Sequence, residues 1–90
     1  MSDRVDRIEH ALRDAFSPTH LLVKDQSHLH AGHAGAQDGR GHFEVQIVSD
    51  VFSDLSTIKR HRAIYEALGD MMTTDIHALQ IKARSTSEAA

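Results

Sequence analysis

Residues 42–48 read HFEVQIV and show the most regular alternation of apolar and polar side chains in the chain. Phe43, Val45 and Ile47 alternate with polar neighbours, which is the pattern of a strand with one face in a core and one toward solvent. The segment is therefore predicted to be a β-strand with these three residues pointing inward. The residues predicted to point outward are His42, Glu44 and Gln46.

A loop rich in histidine and glycine, residues 27–42, leads into this strand. It reads SHLHAGHAGAQDGRGH and has neither a helical nor a strand period. Loops longer than about 12–15 residues are uncommon in compact domains and are usually functional or disordered. The histidine density favours a functional loop, and a solvated polar loop is the alternative with the same composition.

Two elements are predicted on the amino-terminal side of the loop. Apolar residues recur every three or four positions over residues 3–16, which indicates an amphipathic helix. Ser17-Pro18 ends that helix, because the residue before a proline is disfavoured in the α region. Residues 20–26, HLLVKDQ, predict a first strand. A single loop joins it to 42–48, so the two strands are expected to pair antiparallel.

A second long helix is predicted after the central strand. Ser56 is placed to cap a helix over residues 57–72. His61 falls on its apolar stripe. The other members of that stripe are Ile58, Ile64, Tyr65, Leu68, Met71 and Met72.

Residues 76–83, IHALQIKA, predict a third strand in which His77 lies on the inward phase. A helix that joins two strands of one sheet gives a right-handed parallel connection. The predicted fold class is therefore α+β, in the order α-β-β-α-β, with a three-stranded mixed sheet and two helices on one face. Residues 1–90 form one domain, and residues 84–90 are expected to be a frayed tail.

Composition excludes several classes of protein. The net charge is −3 with neutral histidines, so no global basic field for nucleic acid is expected. The chain has no cysteine, which removes disulfides and any cluster ligated by its own thiolates. No segment has the roughly 20 apolar residues of a membrane span, and the charged amino terminus lacks a signal peptide, so a cytoplasmic location is expected. No nucleophile, base and orienting group emerge together, and enzymatic activity is not predicted.

The histidines suggest a metal site. His28, His30 and His33 lie in the loop, and imidazole suits zinc, copper, nickel and iron. If the second and third strands are parallel, the end of the loop and the start of the third strand lie at the same end of the sheet, so His77 can meet the loop histidines. A histidine at the edge of the core, hydrogen-bonded to the backbone, is the alternative for His77. His42 is excluded from the site because of its outward phase.

A basic stretch near the start of the second helix is another candidate site. Lys59, Arg60 and Arg62 flank the apolar stripe and are the predicted phosphate contacts if the chain binds nucleic acid. The alternative is three solvated cations, which the acidic net charge favours.

Four segments together resemble the BolA-like proteins. They are VKDQSHLHAGHAG (23–35), GHFEVQIVSDVF (41–52), KRHRAIYEAL (59–68) and DIHALQIKAR (75–84). The resemblance covers most of the chain, and its strongest markers are Arg60-His61-Arg62 and the IHAL of residues 76–79. It implies a fold of the class II KH-like type, in agreement with the α-β-β-α-β order. One departure is that Ser53-Asp54 follow Phe52, where the family commonly has a glycine two residues after the phenylalanine.

The resemblance also implies a partner and a cofactor. BolA-like proteins pair with monothiol glutaredoxins and share a [2Fe–2S] cluster, for which the partner side supplies one thiolate of its own and one from glutathione. By position, the ligands from this chain are His77 and His30, with His33 as the alternate. Two imidazoles and two thiolates form a Rieske-like ligand set. Alone, the chain is expected to be a monomer or a weak homodimer.

The family is described in addition as a transcriptional regulator with a helix-turn-helix-like segment. That role would map onto residues 51–68, with Lys59, Arg60 and Arg62 as DNA contacts. DNA binding is thus the alternative function.

Overall fold

The computed structural model describes residues 3–27 and 40–89 of the chain. In chain order its elements are helix α1 (Asp3–Phe16), strand β1 (His20–Asp25), strand β2 (Gly41–Val48), a 3₁₀ turn (Asp50–Phe52), helix α2 (Thr57–Leu68), helix α3 (Met71–Thr74), strand β3 (Ile76–Arg84) and helix α4 (Thr86–Ala89). The predicted α-β-β-α-β order is confirmed, and the four-residue helices α3 and α4 are additions to it.

Strand β2 lies between the other two strands of the sheet. It pairs antiparallel with β1, where Val45 lies opposite Val23, and parallel with β3, where Val45 lies opposite Ile81. Both directions agree with the prediction. Phe43, Val45 and Ile47 are at most 1% exposed, as the alternation in the sequence predicted. Burying an apolar side chain of this size stabilises a fold by about 1.5–3 kcal/mol.

Helices α1 and α2 cover the apolar face of the sheet. Helix α1 buries Ile8, Leu12 and Phe16, which are spaced by four residues and so lie along one side of the helix. Helix α2 adds Ile64 and Leu68 to the same core. None of the helices in the described ranges has the length and apolar character needed to cross a membrane.

Helix α2 begins where predicted but ends earlier. The Ser56 hydroxyl accepts a hydrogen bond from the Lys59 backbone N–H at 3.3 Å and caps the helix. The predicted helix over residues 57–72 is too long, because α2 stops at Leu68. Gly69 follows with a φ of 55°, a conformation that glycine adopts without a Cβ clash, and the chain turns there.

The buried face of α2 differs from the predicted stripe. Arg60, Ile64 and Leu68 are the buried residues of this helix, and they are spaced by four. Ile58 and Tyr65, which the prediction placed on the stripe, are 63% and 41% exposed. The prediction is wrong for these two because α2 meets the core along a narrow face that an arginine occupies.

The end of the chain is ordered as far as the structure describes it, so the prediction of a frayed tail is wrong for residues 84–89. Arg84 is the last residue of β3, and Ser85 is buried. The Ser85 backbone N–H donates to the Glu88 carboxylate at 2.7 Å, and the Glu88 N–H donates to the Ser85 hydroxyl at 3.3 Å. This reciprocal pair is a capping box, which starts α4.

The sheet face opposite the helices is polar, as predicted, but it carries an ordered network. Glu44 is only 9% exposed on it. Its carboxylate accepts hydrogen bonds from the Gln46 amide at 2.7 Å and the Gln26 amide at 3.1 Å. These donors, the Gln46 amide above all, and the charges of Lys24 and Lys82 lower the pKa of Glu44.

Candidate functional site

Strand β3 contains a β-bulge at His77, beside the first residues of β2. Gly41 lies opposite Ile76 and His42 lies opposite Ala78, so the register skips His77. An extra residue of this kind shifts the alternation of a strand by one position. Ile76 is consequently buried, and His77 is exposed. The prediction that His77 lies on the inward phase is wrong for this reason.

The His77 ring is held by an arginine from the end of the histidine-rich loop. The Arg40 guanidinium nitrogen Nη2 lies 3.1 Å from His77 Nδ1. Arginine has only donors, so Nδ1 is the acceptor in this contact. Arg40 was not among the candidate residues, although it is the single Lys or Arg of the loop sequence, because nothing in that sequence predicts its contact with a residue 37 positions away.

His42 lies against His77 as well. The ring centroids are 5.2 Å apart, and the ring planes are inclined by 50°. The outward phase of His42 predicted that it lies away from His77, but the bulge turns His77 out of the core toward the same side. Ile76 and Leu79 are both apolar but three positions apart, so a regular strand would point them to opposite faces. This mismatch was the signal in the sequence for the bulge.

A close approach at Gly41 fixes the backbone at this site. The Gly41 N–H donates to the Asp75 carbonyl at 2.9 Å. A Cβ atom at Gly41 would lie 2.7 Å from both Phe43 Cε2 and Ser27 Oγ, which is too close for any side chain. The same Ser27 hydroxyl accepts the His42 N–H at 3.1 Å. Gly41 is therefore needed where the loop rejoins the sheet.

The turn before β3 is tied to helix α1 by an ion pair. The Asp75 carboxylate lies 2.8 Å from Arg7 Nη2 and 3.4 Å from Arg4 Nε. The Arg7 hydrogen bond is the largest of the effects that lower the pKa of Asp75. This connection fixes the start of β3, and hence His77, relative to the helical layer.

Both described ends of the histidine-rich loop lie at the end of the sheet where β1 stops and where β2 and β3 begin. Ser27 contacts the His42 backbone, and Arg40 contacts the His77 ring. The loop histidines His28, His30 and His33 lie outside the described residues, so their convergence on His77 stays a prediction. In the part of the chain that the structure describes, no three histidine, aspartate or glutamate side chains are grouped to hold a metal ion.

The basic stretch of α2 divides into structural and exposed residues. Arg60 is only 9% exposed, so its predicted position as a solvated cation or phosphate contact is wrong. Its guanidinium donates to the Leu55 carbonyl at 2.9 Å, the Ala83 carbonyl at 3.0 Å and the Glu88 carboxylate at 2.7 Å. Arg60 therefore joins α2, the end of β3 and α4.

The other two members of the basic stretch, Lys59 and Arg62, are exposed. His61, which lies between Arg60 and Arg62 in the sequence, is half-buried. The exposed pair leaves two cations of the predicted DNA-contacting set on this helix surface.

The fold and the site together define a small α+β domain with a mixed three-stranded sheet and a histidine-bearing edge. A family model described as BolA-like protein matches residues 12–88. The chain belongs to the BolA-like family, as the sequence resemblance indicated.

Known proteins agree with this assignment. SufE-like protein 1, chloroplastic/mitochondrial, of Arabidopsis thaliana is 41% identical over 98% of this chain, but the chain spans only 25% of that protein. The DNA-binding transcriptional regulator BolA of Escherichia coli (strain K12) is 40% identical, covering 92% of this chain and 76% of the relative. The solved BolA domain of SufE1 from Arabidopsis thaliana superposes with a TM-score of 0.87 at 40% identity, over 98% of both chains.

Replacing Arg60 by methionine should destabilise the fold by about 2–4 kcal/mol, because two carbonyls and a carboxylate lose their charged donor. Urea denaturation measures the loss. Arg62→Met on the exposed side of the same helix is the matched control and should change the free energy of unfolding by less than about 0.5 kcal/mol. Equal effects of the two substitutions would contradict a structural role for Arg60.

The Arg60 contact should also appear in the pH dependence of stability. Arg60 and the Ser85 cap lower the pKa of Glu88 from 4.5 to about 2. A carboxylate with a lowered pKa stabilises the fold above its unfolded pKa and loses that contribution as pH falls. Glu88→Gln should therefore lower the melting temperature at pH 7, and its deficit should shrink between pH 4.5 and 2. The exposed Glu66→Gln is the control, and a constant deficit for Glu88→Gln across that range would count against the pairing.

Proposed function

We propose that this chain is a non-enzymatic adaptor that pairs with a monothiol glutaredoxin and co-ligates a [2Fe–2S] cluster in cluster trafficking or iron-dependent regulation. The ligands from this chain are His77 and His30, with His33 as the alternate for the second. The observation that carries the proposal is the exposed His77 ring on a strand bulge, at the edge where the histidine-rich loop leaves and rejoins the sheet.

The donor chemistry at this edge suits the cluster. Imidazole nitrogens replace two thiolates on one iron of Rieske centres, and such ligation raises the reduction potential. Eight histidines and no cysteine are present, so any thiolate ligands must come from another molecule. This chain would supply the imidazole ligands, and a thiol-bearing partner would supply the thiolates.

The backbone geometry supports a second ligand from the loop. Residues 28–39 start next to Ser27 and end next to Arg40, and both anchors contact the residues around His77. His30 lies three residues after Ser27 in the sequence, a span of at most about 10–11 Å of extended chain. This short span is compatible with the choice of His30 as the second ligand.

Rigid support for His77 comes from the sheet. Its strand is hydrogen-bonded to β2 along the register from Gly41 to Val48, and Asp75 ties the preceding turn to α1. A ligand on such a frame is oriented before the partner arrives, which reduces the ordering that binding requires.

The proposal predicts a heterocomplex with its own spectrum. The chain is mixed with a monothiol glutaredoxin, glutathione, iron and sulfide, and the visible absorption and circular dichroism are compared with those of the glutaredoxin homodimer. His77→Ala and His30→Ala should each change the spectrum of the heterocomplex, because each removes an iron ligand. His10→Ala, at an exposed position of α1, is the control.

The same series distinguishes the two loop ligands. If His33→Ala changes the spectrum and His30→Ala does not, His33 is the second ligand. A heterocomplex spectrum that is unchanged in His77→Ala and in both loop variants would refute the ligand assignment.

DNA binding is a second candidate function. The relative from Escherichia coli is named as a DNA-binding transcriptional regulator, and Lys59 and Arg62 of this chain are exposed on α2. Two cations on one helix surface are a suitable phosphate contact, although a net charge of −3 confines any attraction to that surface.

For a DNA site on α2, binding to duplex DNA should weaken with salt, and Arg62→Ala should reduce the slope of log affinity against log salt by about one. Arg13→Ala on α1 is the control for a distant exposed cation. Arg60 is unsuitable for this test because its replacement disturbs the fold. Undetectable binding at low salt would eliminate this function.

A further inference from the structure

The contact between Arg40 and His77 fixes the protonation pattern of the imidazole. Arg40 Nη2 lies 3.1 Å from His77 Nδ1. A guanidinium stays protonated and offers only N–H groups, so Nδ1 must present its lone pair. In the neutral ring the single proton then lies on Nε2. This tautomer follows from the hydrogen bond, as tautomers generally must.

A histidine in this state has no nitrogen ready for a metal ion. A metal ligand needs a free lone pair, but the lone pair of Nδ1 is directed at Arg40 and Nε2 carries the proton. Ligation through Nδ1 requires that the guanidinium move away. Ligation through Nε2 requires the proton on Nδ1, where it would face the N–H groups of Arg40. Either route breaks the contact.

The surroundings indicate which group moves. The His77 ring is packed beside His42, with 5.2 Å between the ring centroids, and its backbone belongs to β3. Arg40 adjoins Gly41, whose N–H donates to the Asp75 carbonyl, and the arginine side chain has more rotatable bonds than the imidazole. Displacing a long arginine side chain is therefore easier than turning the ring.

We propose that Arg40 is a positioning residue that caps His77 in the free protein and is displaced when His77 binds a metal. The choice of metal rests on the proposed function, whereas the cap is a property of the free chain. Its positive charge also disfavours a cation at the ring. The cap thus keeps the imidazole oriented while lowering its affinity for stray metal ions.

The first test reads the tautomer directly. Long-range ¹H–¹⁵N spectra of the histidine rings are recorded on the full chain at about pH 8, above the usual imidazole pKa. The wild-type His77 should be the Nε2–H tautomer. Arg40→Met keeps most of the stem without the donors and should shift the ring toward the Nδ1–H form. Arg62→Met should leave it unchanged.

The second test measures the cost of displacing the cap. Zinc is titrated into each variant, and the His77 ring signals report binding at this residue alone. Loss of one net hydrogen bond predicts about three- to tenfold tighter binding for Arg40→Met. Arg40→Gln, which retains a neutral donor, should lie between Arg40→Met and the wild type. Amide spectra confirm that each variant is folded.

Two results would overturn the cap: an Nδ1–H tautomer for wild-type His77, or zinc affinity at His77 that is the same in the wild type and Arg40→Met. Neither measurement includes a glutaredoxin. A tautomer and zinc response as predicted, with no heterocomplex in the glutaredoxin experiment, would uphold the cap and reject the proposed function. The reverse result would reject the cap alone.

Discussion

The pairing of β2 on both sides is the constraint on which the rest of the described structure depends. Its alternation places Phe43, Val45 and Ile47 under the helices. The two ends of the strand make different contacts. At the carboxyl end, the buried Ser49 donates its hydroxyl to the Phe16 carbonyl at 2.7 Å and closes the sheet against α1. At the amino end, the loop enters beside His77. The carboxyl end of β2 therefore connects the sheet to α1, and its amino end lies beside the candidate site.

Prediction from the sequence agrees with the structure where one regular pattern of apolar residues packs against one core. Helix α1 and strand β2 agree with prediction because each repeats one pattern against one core. It failed where one long-range contact overrides the pattern. The charge of Arg60 predicts an exposed side chain. Arg60 is buried instead, because two backbone carbonyls and the Glu88 carboxylate accept its hydrogen bonds. The small polar composition of residues 84–90 predicts a frayed tail, although STSE at 85–88 contains the serine and glutamate spacing of a capping box.

The candidate site was only partly accessible from sequence for a similar reason. His77 was found, but its orientation was wrong because a bulge is a property of two paired strands and not of one. The same error removed His42 from consideration. The contact between Arg40 and His77 was not predicted, because the two residues are 37 positions apart along the chain. The burial of Arg60 also shows what the first arginine of Arg60-His61-Arg62 does in this chain: its side chain holds three elements together.

The bulge has a consequence for how this site could change over evolutionary time. In a regular strand, every residue is tied to the ladder, and removing one reverses the orientation of all that follow. At the bulge the chain has one residue more than the register needs, since Ile76 and Ala78 already face consecutive residues of β2. His77 is thus surplus to the architecture of the sheet. A side chain at such a position can be exchanged while the core retains its packing, so the surface chemistry at this end of the sheet can vary separately from the fold.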